Sequence, residues 1–174
     1  MEESRHEEGE LMADKAAAAR ELLELEKQYF KAGALDPERA KRWNSLLGLL
    51  FGKKYATDNR RSVRLQASVG ATVQIGPRRV TCSVIEVSRR GASLTGPACA
   101  TTHEDTLRLV AIDIDGKTDP LDLMCNVVRK ATAGGAPLLG VEFAPTNPAA
   151  AMTDYFNRVY YPIYVRHLER IAAG

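Results

Sequence analysis

Between residues 69 and 143 no helical rhythm survives. VGATVQIG (69–76), RVTCSVIEVS (79–88), GASLTG (91–96), TLRLVAIDI (106–114), LDLMCNVVRKA (121–131) and LLGVEF (138–143) are six short β-rich runs. Gly76-Pro77, Gly96-Pro97, Asp115-Gly116 and Gly134-Gly135 supply turn signals between them. So many short strands at close spacing fit a small antiparallel barrel or sandwich, because closure removes exposed edges.

Helices are expected on either side. From Glu10 to Lys31, Ala, Leu, Glu and Lys dominate, all good helix formers. Leu11, Ala18, Leu22, Leu25 and Tyr29 form a stripe, widened by Met12, Ala16, Ala19, Leu23 and Phe30. A stripe this wide must bury against its own domain or against a partner helix. Asp36 and Pro37 restart the chain as a second helix, with Ala40, Trp43, Leu46, Leu47, Leu50 and Phe51 on one face and Gly52 to close it. At the other end Asn147 and Pro148 signal a helix start, and Met152, Tyr155, Phe156, Val159, Tyr160 and Ile163 line one face. Pro162 lacks a backbone donor, so a kink or break is expected near Arg158–Tyr161. The expected divisions are a helical extension over 1–52 (residues 1–9 disordered), a linker over 53–68, a β-domain over 69–144 and a C-terminal helix over 145–174.

Charge is unevenly placed. The 174-residue chain has net charge +2, too little for a global field that attracts nucleic acid or anionic lipid. Residues 1–26, however, hold nine acids against three bases, and residues 27–64 hold ten Lys/Arg against three acids. The three cysteines, Cys82, Cys99 and Cys125, have neither the parity nor the spacing of a disulfide framework or zinc site, and read as free thiols. The acidic N-terminus lacks an apolar signal region and no apolar run spans a bilayer, so a cytoplasmic location without membrane insertion is expected.

Catalytic chemistry has no visible seat. His6, His103 and His167 stand apart from any recognisable nucleophile motif. DIDGKTD (113–119) lacks the later ligands of a calcium loop and reads as a hairpin turn. GGAPLLG (134–140) is not a dinucleotide-binding loop, and no phosphate-binding P-loop occurs. The β-region contains one aromatic, Phe143, so it lacks the stacking platforms of a barrel that holds nucleic-acid polymers. No enzyme, cofactor or metal is implied.

Two short stretches remain. NRRSVRL (59–65) presents Arg60, Arg61 and Arg64 just before the first strand. A guanidinium is a planar fork of donors that matches phosphate oxygens and the O6/N7 edge of guanine. EVSRRGASL (86–94) places Glu86, Ser88, Arg89, Arg90 and Gly91 at the end of the second strand. One strand, a turn and a second strand separate Arg64 from Glu86, so both stretches can meet at one face.

Together these stretches resemble the PilZ domain family of bacterial cyclic di-GMP receptors, whose pattern is RxxxR followed by [DN]xSxxG. Arg60 to Arg64 and Glu86 to Gly91 supply the two motifs, and LLGVEF resembles the family's closing strand. The resemblance covers about residues 58–165. It implies an α+β, mainly β chain: a six-stranded antiparallel barrel with a two-helix N-terminal extension and a C-terminal helix.

By the same resemblance, Arg60 and Arg64 grip phosphate and the guanine Hoogsteen edge, and Ser88 bonds the guanine or phosphate. Gly91 lets the chain turn tightly beside the ligand, and Gly140 lies under a base on a neighbouring strand. Arg61 and Arg90 are further candidates for phosphate contact. Glu86 departs from the family's Asp or Asn; its carboxylate can still accept from guanine N1–H and N2–H₂, but it is one methylene longer. The implied ligand is cyclic di-GMP, with binding converted into a rearrangement of helices 10–52 or of their partner surface. The other expectation is a degenerate adaptor that works through self-association or a protein partner on those helices.

Overall fold

The computed structural model describes residues 2–32, 35–52 and 63–174. The chain divides into two compact units, Met1–Val63 with Tyr164–Gly174, and Arg64–Ile163.

The first unit is helical. Helix α1 spans Glu2–Ala32, so it takes in residues 2–9 of the segment expected to be disordered. Ala16, Ala18, Ala19, Leu22 and Leu25 of the stripe are buried, whereas Leu11 and Tyr29 at its ends are exposed. Helix α2, Pro37–Phe51, starts as its sequence suggests: the Asp36 carboxylate accepts the Arg39 N–H at 2.9 Å, with Pro37 in the first turn. Gly52, at φ 103°, closes it by donating to the Gly48 carbonyl. Arg42 of α2 forks onto the Glu21 carboxylate of α1 at 2.7 and 2.5 Å. The C-terminal residues complete this unit. Leu168 is fully buried, and the Tyr164 hydroxyl donates to the buried Glu26 carboxylate at 3.1 Å.

The second unit is a closed barrel of β1 (Leu65–Ile75), β2 (Arg78–Ser88), β3 (Gly91–Thr95), β4 (Thr106–Ile114), β5 (Lys117–Ala133) and β6 (Ala136–Phe143). Every pairing is antiparallel, in the order β1-β2-β3-β6-β5-β4 around the wall. The tight turns follow their residues. Asp115 and Gly116, at φ 53° and 77°, and Gly134 and Gly135, at 57° and 81°, make left-handed two-residue hairpin turns. Val73, Val84, Leu94, Leu109, Ile112, Leu123, Cys125 and Leu139 fill the interior and are essentially inaccessible. β1 begins four residues before the expected first strand, with Leu65 already buried. A short helix α3, Pro97–Thr101, joins β3 to β4.

After β6 the chain turns into α4 (Ala149–Tyr155), a π-helical turn (Phe156–Tyr160) and α5 (Tyr161–Ala173). Asn147 does not cap this helix, as the sequence suggested. Its amide pairs with the Met124 backbone instead, accepting the N–H and donating to the carbonyl, both at 2.8 Å, which ties the incoming chain to β5. Tyr155 is buried edge-on to Phe143, with ring centroids 4.5 Å apart. The π turn falls where a break was expected. The Tyr161 N–H reaches back five residues to the Phe156 carbonyl, so the helix widens ahead of Pro162 and continues.

Candidate functional site

The site lies within the second unit and is shaped by irregularities in the strands. Val84 and Val87 both point into the barrel, although strict alternation would send them to opposite faces. A bulge between Val84 and Glu86, in the pairing with β3, accounts for this and turns Glu86 outward opposite Ser93. A second irregularity, between Gln66 and Val69 in β1, leaves Gln66 opposite Glu86. A third, between Val127 and Arg129 in β5, leaves Arg129 opposite Gly140. Ser93 in turn pairs with Gly140. The result is one row on the outer wall: Gln66, Glu86, Ser93, Gly140, Arg129, drawn from β1, β2, β3, β6 and β5.

Glu86 is held within this row. Gln66 Nε2 donates to its Oε1 at 3.0 Å and Ser93 Oγ donates to its Oε2 at 3.1 Å. Arg64 Nη1 stands 3.9 Å from the same Oε2, with the arginine side chain 66% exposed. An ion pair so long and so wet contributes little to stability. It does keep a free guanidinium fork beside the carboxylate. Arg60 and Arg61 lie outside the described residues.

The β2–β3 turn is built by Ser88. Its Oγ accepts the Arg90 N–H at 3.3 Å and donates to the Gly91 carbonyl at 3.2 Å. Its own carbonyl accepts the Tyr155 hydroxyl at 2.9 Å, which anchors the turn to α4. Burial pushes the Tyr155 phenol up, so the hydroxyl remains a donor at every physiological pH. Arg89 folds back over the Phe156 and Tyr160 rings, 4.9 and 5.8 Å from their centroids. It is therefore a packing contact rather than a loose loop charge. The Arg90 side chain is exposed and has no partner among the described residues.

Gly91 has a reason within the fold itself. Its φ is not positive, so the turn itself does not require glycine. β3 instead passes so close to β6 that a Cβ would stand 2.0 Å from the Val141 carbonyl oxygen. At Gly140 a Cβ would meet the Arg129 Cβ at 3.1 Å, and the backbone is left bare on the outer face.

The structure thus gathers Arg64, Glu86, Ser88, Arg90, Gly91 and Gly140 around one end of one wall. Sequence reading missed Gln66, Ser93 and Arg129. Ser93 was within reach, since strand alternation puts it on the face opposite to Ala92 and Leu94, where it is buried beside Glu86. Gln66 and Arg129 depend on bulges that no local pattern announces. Among the described residues no His/Cys/Asp/Glu cluster could hold a metal ion, and no helix is long and apolar enough to cross a membrane. The arrangement can donate from guanidinium forks and accept at a carboxylate over a flat floor, which is the chemistry of nucleotide recognition.

No curated protein matches the sequence. Among solved structures, an inhibitor of motility from Bacillus subtilis (MotI/DgrA) superposes with TM-score 0.51 at 15% identity, covering 64% of this chain. The match covers only 53% of that protein, so this chain spans about half its length. The PilZ domain of Escherichia coli YcgR with c-di-GMP gives TM-score 0.44 at 13% identity, covering 65% of this chain and 97% of that one. A tetrameric PilZ domain protein of Xanthomonas campestris, self-assembled through a helical bundle, gives 0.39 at 19% identity, covering 91% and 79%. The sequence matches the PilZ domain family over residues 58–157, and the chain belongs to that family.

Proposed function

We propose that the chain is a receptor for cyclic di-GMP and that the outer wall of the barrel around Glu86 is its binding site. The observation that carries this reading is the convergence of Arg64, the anchored Glu86 carboxylate and the Ser88 turn on one face. Gln66 and Ser93 hold Glu86 so that its remaining lone pairs are free for guanine N1–H and N2–H₂. That anchoring supports tolerance of the longer acid, because a group held by two donors does not need to be reordered by the ligand. Arg64, with Arg60 and Arg61 from the adjoining sequence, would take phosphate oxygens. No bond is made or broken. The output would be a change in the helices to which the arginine segment and α4–α5 are joined.

A second reading is an adaptor that has given up the nucleotide. It is favoured by the same Glu86 network, since the carboxylate and the Ser88 hydroxyl both already have partners within the protein. Titration calorimetry on the wild type and on an Arg60→Ala/Arg64→Ala double variant separates the two. The receptor reading expects binding that the double variant loses. Equal binding by both proteins would remove the arginines from the site, and absence of binding by the wild type would leave the adaptor.

A further inference from the structure

Arg129 lies outside both sequence motifs, yet it closes the row that holds Glu86. Gly140 is the bare position between them. Its φ is not positive, so no turn requires glycine there. What glycine provides is an uncovered strip of backbone, with the Arg129 Cβ bordering it. Arg129 is exposed and has no partner among the described residues. The β5 bulge that turns it outward also exposes the Val128 isopropyl group, 57% accessible, an unusual position for a valine on a barrel wall.

Two further observations direct the assignment. The strands contain one aromatic residue, Phe143, and it is buried against Tyr155. A purine lying on this wall therefore finds no barrel ring to order it, and a planar guanidinium is the substitute available. The spacing also fits. Glu86 and Arg129 are three strands apart, about 14 Å between backbones at about 4.8 Å per strand. Side chains reaching inward from both ends leave space for a base plane over Gly140.

We infer that Arg129 is a ligand-contacting residue, its fork taking the O6/N7 edge of a guanine that lies over Gly140 while Glu86 takes the N1/N2 edge. This rests on the receptor reading above and names the group that would set its preference for guanine. Adenine presents an amino donor where guanine has O6, so it would face the guanidinium donors with a like group.

The test compares full-length wild type, Arg129→Ala and Arg129→Lys by titration calorimetry with cyclic di-GMP and cyclic di-AMP, alongside thermal melting. The expected result is that all three melt together, since the side chain is exposed. Arg129→Ala should bind cyclic di-GMP about 10- to 100-fold more weakly, the scale of one bidentate contact. Its preference over cyclic di-AMP should narrow, and Arg129→Lys should restore only part of the loss, because a point charge lacks the fork. Wild-type binding that both variants retain, in affinity and in selectivity, overturns the Arg129 assignment and leaves the receptor reading intact. No binding by the wild type refutes the receptor reading and this assignment with it.

Discussion

Replacing Gly91 by alanine adds one methyl group where β3 and β6 nearly touch. The new Cβ would lie 2.0 Å from the Val141 carbonyl oxygen, 3.0 Å from the Val141 carbonyl carbon and 3.1 Å from the Glu142 Cα. An optimal non-bonded contact is roughly 3.5 Å. All three atoms are backbone, so no rotamer change gives relief and the strands must separate by more than 1 Å or so. Overpacking of this kind costs about 1–3 kcal/mol. Separation also endangers the 2.8 Å bond from the Phe143 N–H to the Arg90 carbonyl, worth about 1 kcal/mol. The sum, about 2–4 kcal/mol, lowers the melting temperature of a unit this size by roughly 10–30 °C. Gly70→Ala is the control. Its Cβ would meet the Asp113 carboxylate oxygen at 2.7 Å, but that is the end of a side chain that can rotate aside. Circular dichroism melts should therefore leave Gly70→Ala within about 0.5 kcal/mol of wild type and drop Gly91→Ala sharply. Gly91→Ala melting together with wild type would refute the claim that this motif glycine serves strand packing.

Two predictions concern titrating groups. The hydrogen bond from Arg158 holds the Asp119 carboxyl below its usual value, with Lys117 and the Arg158 charge acting in the same direction against partial desolvation. A depressed carboxyl stabilises the fold above its unfolded value near 3.8, and that stabilisation is lost as pH falls through the lower folded value. Wild type should therefore lose melting temperature more steeply than Asp119→Asn as pH drops from neutral toward 3 or so; parallel pH profiles would contradict the pairing. Burial pushes the Cys82 and Cys125 thiols up to about 12 and raises Cys99 as well. Thiol reagents at pH 8 or so should label the native protein far more slowly than the urea-unfolded protein, and equal rates would contradict the buried placement.

Much of the barrel was legible because its strands are short apolar runs punctuated by glycine turns, and local chemistry decides both. Asp115-Gly116 and Gly134-Gly135 adopt the left-handed turns that those residues favour. The site was less legible. Glu86 reaches the outer wall through a bulge, and Arg129 through another. Bulges bend and twist a strand to suit the closure of the whole sheet, so Val84-Ile85-Glu86-Val87 carries no mark of one. The family resemblance implied that Gly91 turns the chain beside the ligand, whereas the close β3–β6 approach is a tertiary fact that no local pattern carries. Asn147-Pro148 carries a helix-start pattern, and only the fold reveals that the asparagine amide is occupied by Met124. The π turn was foreshadowed by Pro162 as a disruption, not as a widening that keeps the helix continuous.

Titration of cyclic di-GMP into the purified full-length chain, with GTP and cyclic di-AMP as controls, tests the central claim most directly. The account predicts saturable heat with cyclic di-GMP and none with the two controls at the same concentrations. A folded, cooperatively melting protein that gives no heat with cyclic di-GMP would contradict it.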